Sequence, residues 1–123
     1  MEHLGHLQLR VMQNIWRNGP STVHDVHDAL NAQPDAPKQL AYTTVLTVMR
    51  SLVKRKFLDQ KAEGRAHRFV PIITDEAYAA EMMRQIRVDV FGRDVGKMLA
   101  CMAGDHGIEA AMRAKIQHLA SGA

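Results

Sequence analysis

A mainly α-helical fold with one small β-hairpin is what this sequence predicts, and three observations predict it. Apolar residues recur at helical spacing in three successive segments before residue 56. The period then shortens to two on either side of a glycine turn. From Thr74 onward the helical spacing returns. Three helices followed by a hairpin is the element order of a winged helix-turn-helix, expected over residues 1–73, with a helical domain over residues 74–123.

The first helix is expected over residues 6–17, where Leu7, Val11 and Ile15 repeat every four residues with Met12 and Trp16 beside them. Asn18-Gly19-Pro20 ends it, because glycine takes a left-handed cap and proline forbids continuation. Ser21 or Thr22 caps the second helix, and Asp25 sits near its positive dipole end. Val23, Val26 and Leu30 form its apolar stripe, and a loop with two prolines, AQPDAPKQ, follows. The third segment, AYTTVLTVMRSLVKRKFL, reads as one helix ending in a basic knot, with Val45, Val48, Met49, Leu52 and Val53 on its apolar side. Strands are expected over 57–61 and 67–72, joined by a turn around Glu63-Gly64-Arg65.

The outward face of the third helix is unusual for a solvent face. It carries Thr43, Thr44, Leu46, Thr47, Arg50 and Ser51, where Glu and Lys would be ordinary. No acidic residue occurs between Tyr42 and Lys56. A face that reads base edges in the major groove must be small, must offer hydroxyls or a guanidinium, and must avoid carboxylates that phosphates repel. Thr43, Thr44, Thr47, Arg50 and Ser51 meet those demands, and the threonine methyls and Leu46 suit thymine methyls.

Charge points the same way. The formal net charge is +3, but residues 1–74 hold ten Lys and Arg against six Asp and Glu, and residues 75–123 hold six against seven. Residues 50–68 alone contain seven basic side chains, Arg50, Lys54, Arg55, Lys56, Lys61, Arg65 and Arg68, against two acidic ones. That local excess is a footprint for a polyanion, with Lys54, Arg55, Lys56, Lys61, Arg65 and Arg68 expected where phosphates would run. Composition is that of a globular protein, with 46% hydrophobic and 24% charged residues. No apolar run is long enough to span a bilayer, and MEHLGHLQLR lacks the apolar core of a signal peptide, so a cytoplasmic protein without membrane contact is expected.

Beyond Thr74, a good N-cap, Ala77, Ala80, Met83, Ile86, Val90 and Phe91 make one stripe. Val95, Met98, Leu99 and Met102 continue it past a kink or break at Gly92. After a turn at GDHG, Ile108, Met112, Ile116 and Leu119 give a last amphipathic helix. Such helices cannot bury their stripes on themselves, and five of the eight methionines lie after residue 80, which suits an adaptable helix interface. A two-fold homodimer through Met83, Ile86, Val90, Met98, Met102, Ile108, Met112 and Ile116 is the expectation.

Other chemistry finds little support. His24 with His27, and His3 with His6, lie three apart, but zinc would want a third and fourth ligand, with Asp25 or Asp28 the only nearby acids, and solvent-facing histidines are the plainer account. No hydrolase, metalloprotease or phosphate-loop motif is present, so neither catalysis nor a cofactor is expected. One cysteine excludes an internal disulfide, and Cys101, between Ala100 and Met102, reads as a buried structural thiol.

LQLRVMQNIW, STVHDVHDAL, AYTTVLTVMRSLVKRKFL and GRAHRFVPI, in this order and spacing, resemble the BlaI/MecI family of penicillinase repressors over residues 4–73, and the remainder by pattern. The resemblance implies a homodimeric winged-helix repressor on a palindromic operator of a β-lactamase-type or related stress operon, tied to antibiotic resistance. It implies Tyr42, Thr43, Thr44, Thr47 and Arg50 as recognition-helix residues and Arg65, His67 and Arg68 as wing residues. In the family a membrane sensor with a protease domain triggers cleavage of the repressor. The corresponding position here is Cys101-Met102, which differs from the family's Asn-Phe. Thr43 and Leu46 likewise stand where well-known members carry Lys and Arg. A lone cysteine does not fit the copper-responsive branch of the superfamily. The alternative is a winged-helix protein-interaction module without specific DNA readout.

Overall fold

The computed structural model describes residues 1–33 and 39–122. Pro34 and Pro37, the prolines of the expected loop, lie outside the described residues. The elements run α1 (His6–Asn18), α2 (Val23–Asn31), α3 (Tyr42–Lys54), β1 (Leu58–Glu63), β2 (Ala66–Pro71), α4 (Asp75–Gln85), one π-helical turn (Ile86–Val90), α5 (Val95–Ala103) and α6 (Ala110–Ala120). The chain divides into a unit that ends at Tyr78 and a second that begins at Ala79. The architecture is mainly helical with one antiparallel hairpin wing.

In the first unit the predicted stripes converge. Val11, Met12 and Ile15 of α1, Val26 and Leu30 of α2, and Val45, Met49 and Leu52 of α3 are fully buried together with Phe57, Leu58 and Phe69 of the wing. Val48 and Val53 pack at the edge of this core rather than inside it. α1 ends at Gly19, whose φ of 84° and ψ of −168° lie outside the left-handed helical cap expected there, in a region only glycine adopts readily. Thr22, not Ser21, caps α2: its Oγ1 accepts from the Asp25 amide at 3.1 Å, and the Asp25 carboxylate accepts from the Thr22 amide at 3.1 Å. Ser21 instead exchanges two backbone bonds with Phe69, at 3.1 and 2.8 Å, which stitches the α1–α2 turn to β2.

α3 stops four residues before the end of the segment read as one helix. Arg55 is its C-cap and Lys56 takes φ 67°. The Lys56 amide donates to Val53 O and the Phe57 amide to Leu52 O, the paired bonds of a Schellman closure, with Leu52 and Phe57 both in the core. The strands pair from Leu58↔Pro71 to Glu63↔Ala66, so β1 is longer and β2 starts earlier than the alternation suggested. This follows from a two-residue turn, Gly64-Arg65, with positive φ at Gly64 only, as a type II′ hairpin demands. Tyr78 completes the unit. Its hydroxyl accepts from the Leu4 amide at 2.7 Å, and its ring lies 5.9 Å from those of Trp16 and Phe57.

The second unit corrects three expectations. The single stripe from Ala77 to Phe91 is interrupted by the π turn, and Gly92 and Arg93 then break the helix with φ of 58° and 70°. Asp94 caps α5 by accepting from the Lys97 amide. Ile108 lies in the turn before α6, where its amide donates to Asp105 O, so it does not share the α6 stripe. Cys101 is exposed rather than buried, because α5 turns Gly96, Leu99 and Ala103 inward while it packs on α6. A Cβ on Gly96 would stand 3.4 Å from Ala120 O, an ordinary van der Waals contact. On α4, Arg84 grips Glu81 with bonds of 2.6 and 3.0 Å and lowers its carboxyl pKa to about 2.

The Thr22 cap supplies the first test. Thr22→Ala should cost about 1 kcal/mol of stability in chemical denaturation. The Thr22 amide holds the Asp25 carboxyl below its ordinary range. A depressed pKa stabilises the fold above the unfolded value and the effect is lost as pH falls through the folded one. The stability difference between the parent and Asp25→Asn should therefore be full at neutral pH and vanish in strong acid.

Candidate nucleic-acid interface

The interface is built by the rotation of α3. Burial of Val45, Met49 and Leu52 turns Thr43, Thr44, Thr47, Arg50 and Lys54 outward, and all five are exposed. Tyr42, 46% exposed, begins the helix and meets the His27 ring edge-on. Thr47 Oγ1 donates to Thr43 O at 2.9 Å, so its hydrogen is committed and it offers lone pairs and a methyl outward. Thr44 is exposed, and its hydroxyl has no partner among the described residues.

Of the residues placed on this face by the sequence, Ser51 stands elsewhere and Leu46 lies at its edge. Ser51 is half-buried on the α1 side, where its hydroxyl accepts from Gln8 Nε2 at 3.2 Å. Leu46 is half-buried and packs against the core. It also floors a cleft of about 330 Å³ between α3 and the wing, whose walls carry His24, Tyr42, Arg50, Arg65 and His67. His24 was not among the site residues read from the sequence, because only the fold brings the start of α2 to the wing.

The basic run separates into two groups. Arg50, Lys54, Lys56, Lys61 and Arg65 are exposed and form no ion pair among the described residues. Arg55 is engaged inside the unit. Its guanidinium donates to Gln8 Oε1 at 2.6 Å and to the carbonyls of Glu2 and His3 at 3.1 and 3.2 Å, and lies over the Phe57 ring. Its expected place in the phosphate-facing set is therefore corrected. Arg68 is half-buried on β2, donating to Glu63 at 2.6 Å and to Pro20 O at 3.0 Å, and Glu63 raises its pKa. His67 is exposed beside it.

On the second unit, Met83, Ile86, Val90, Met102 and Met112 are exposed apolar residues, while Met98, Ile108 and Ile116 are half-buried. Val95 and Leu119, the latter 64% exposed, join the same class and extend the apolar surface beyond the expected set. The Cys101-Met102 peptide lies inside α5. Among the described residues, no three His, Cys, Asp or Glu side chains group as metal ligands, and no helix is long and apolar enough to cross a membrane.

The sequence profile described as penicillinase repressor matches residues 4–121. The transcriptional regulator BlaI of Mycobacterium tuberculosis, in strains CDC 1551 / Oshkosh and ATCC 25618 / H37Rv, is 40% identical over 84 residues, 68% of this chain and 58% of the relative. The chain thus spans little more than half the length of the relatives it matches. Two solution structures share the fold. One is the DNA binding domain of the repressor BlaI, with TM-score 0.52 and 24% identity over 62% of this chain and 88% of that one. The other is the monomeric form of Bacillus licheniformis BlaI in complex with the blaP half-operator, with TM-score 0.50 and 23% identity over 63% and 89%.

The split within the basic run is measurable. Arg55→Gln removes hydrogen bonds from a charged group and should lower stability by about 1–2 kcal/mol, with the salt concentration for elution from heparin little changed. Lys54→Gln should do the reverse. Equal effects of both on heparin elution would return Arg55 to the exposed set.

Proposed function

Because the chain belongs to the penicillinase repressor family, we propose that it is a sequence-specific transcriptional repressor of the cytoplasm, acting as a homodimer on a palindromic operator of a β-lactamase-type or related stress operon. The observation that carries this reading is the exposed face of α3, free of carboxylates and flanked by five exposed cations that form no ion pair among the described residues. In this reading residues 1–73 bind DNA and residues 74–123 dimerise. α3 enters the major groove, with Thr43, Thr44, Thr47 and Arg50 at base edges and Tyr42 at the groove's rim. Lys54, Lys56, Lys61 and Arg65 face phosphates, while His67 and Arg68 seat the wing beside the backbone. The complex of Bacillus licheniformis BlaI with a half-operator supports one winged domain per half-site.

Dimerisation is supported by the exposed Val90, Met102 and Met112 on helices with no buried residue of their own. Induction by a sensor protease rests on the family. A cut at Cys101-Met102 would need α5 to unwind, since proteases bind extended backbone.

Two measurements test this. Thr44→Ala should cost about 1–3 kcal/mol on the duplex that the protein selects from a random library and much less on unselected DNA. An equal loss on both would assign Thr44 to structure. For the dimer, Val90→Asp or Met112→Asp should place an unpaired charge in the interface and yield a monomer by sedimentation, with the first unit still folded. Affinity for a full palindrome should then fall steeply, because linkage between half-sites is lost. A parent chain that sediments as a monomer and still binds the palindrome tightly would refute the homodimer.

A further inference from the structure

The entry to α3 is held from outside the helix. Its N-cap, Ala41, has no side chain to bond the first-turn amides. Tyr42, Thr43 and Thr44 are all exposed, and the buried stripe begins only at Val45. The core therefore fixes the body of the helix and leaves its first turn to other contacts.

Those contacts come from α2. Asn31 presents both ends of its amide to the two backbone polar groups of Leu40: the Leu40 amide donates to Asn31 Oδ1 at 2.7 Å, and Asn31 Nδ2 donates to Leu40 O at 3.0 Å. His27, one turn earlier on α2, brings Nε2 to 2.8 Å from the same carbonyl. A carbonyl only accepts, so that nitrogen carries the hydrogen; the tautomer is assigned from the partner. Nε2 also lies 3.0 Å from Asn31 Nδ2, so the two donors crowd together on one oxygen. Across the ring, Asp28 Oδ1 stands 3.6 Å from Nδ1, and the Tyr42 ring packs edge-on at 5.8 Å. α2 is in turn anchored by Val23, Val26 and Leu30 in the core.

We propose that Asn31 and His27 are positioning residues for sequence readout: by clamping Leu40 they set where Tyr42, Thr43 and Thr44 stand. The proposal rests on the DNA-reading function above. Base-edge hydrogen bonds demand placement to within about half an ångström, whereas phosphate contacts made by flexible lysines tolerate more. Loosening the clamp should therefore erode specific binding and spare non-specific binding.

The test compares the parent, Asn31→Ala, His27→Leu and His27→Gln on two probes, the duplex the parent selects from a random library and an unselected duplex of equal length. Asn31→Ala and His27→Leu should each lower the ratio of the two affinities about tenfold, the size of one mismatched base pair, with the salt slope unchanged. His27→Gln keeps a donor at similar reach and should stay close to the parent. Hydrogen exchange at the Leu40 amide should accelerate in Asn31→Ala while amides of the α3 body stay protected. A role in stability alone would lower both affinities together and leave the ratio fixed. Unchanged ratios in Asn31→Ala and His27→Leu, or a His27→Gln that falls as far as His27→Leu, overturn the proposal. If Asn31→Ala does not fold, the two His27 variants decide. A parent with no preference between the probes overturns the DNA-reading function, and the clamp's role with it.

Discussion

Complete burial of Val45, Met49 and Leu52 is the constraint on which the candidate interface depends. These positions lie four and three apart, on one side of the helix, so their burial leaves α3 a single rotation about its axis. Everything opposite follows from that rotation. Thr43, Thr47 and Arg50 are outward because the stripe is inward. A residue exchanged on the outer face leaves the rotation intact, while loss of a methylene from Met49 or Leu52 is felt throughout the unit. The fold thus lets the outward chemistry vary without disturbing the frame that presents it.

The end of α3 shows how a basic cluster is divided between structure and surface. Lys56 occupies a left-handed position that glycine usually fills, and it is tolerated because the Phe57 and Leu52 side chains lock the closure in the core. Directly before it, Arg55 donates its guanidinium to Gln8 and to the carbonyls of Glu2 and His3. Those partners come from a segment more than forty residues away in the chain. One charge in the middle of the run is therefore a rivet for the N-terminal segment, while its neighbours on either side face outward. Net charge alone reports the field at long range and does not tell these apart.

What could be read in the sequence was what depends on neighbours within a turn or two. The three stripes, the Thr22–Asp25 capping box and the glycine hairpin all follow from short spacing, and the structure contains them. The features that differ depend on distant partners. Ser51 looked outward by period, but Gln8 draws it to the α1 flank. Leu46 is drawn into the core edge. The stop after Lys54 carries no glycine to announce it, and the π turn shifts the second unit's stripe by an insertion that periodicity averages over. Cys101 reads as inward because its neighbours are apolar, yet the inner side of α5 carries Gly96, Leu99 and Ala103.

The stitch between Ser21 and Phe69 has a thermodynamic consequence. A two-stranded hairpin alone is marginal in water, and a loose wing would have to freeze its backbone on meeting a partner, at about 1–2 kcal/mol per residue ordered. Here β2 is tied to the α1–α2 turn by two backbone bonds and by Arg68 to Pro20 O, with Phe69 sunk in the core. That ordering cost is met during folding. The wing arrives at a surface already shaped, so association loses little chain entropy there, and a small contact area can still yield appreciable affinity.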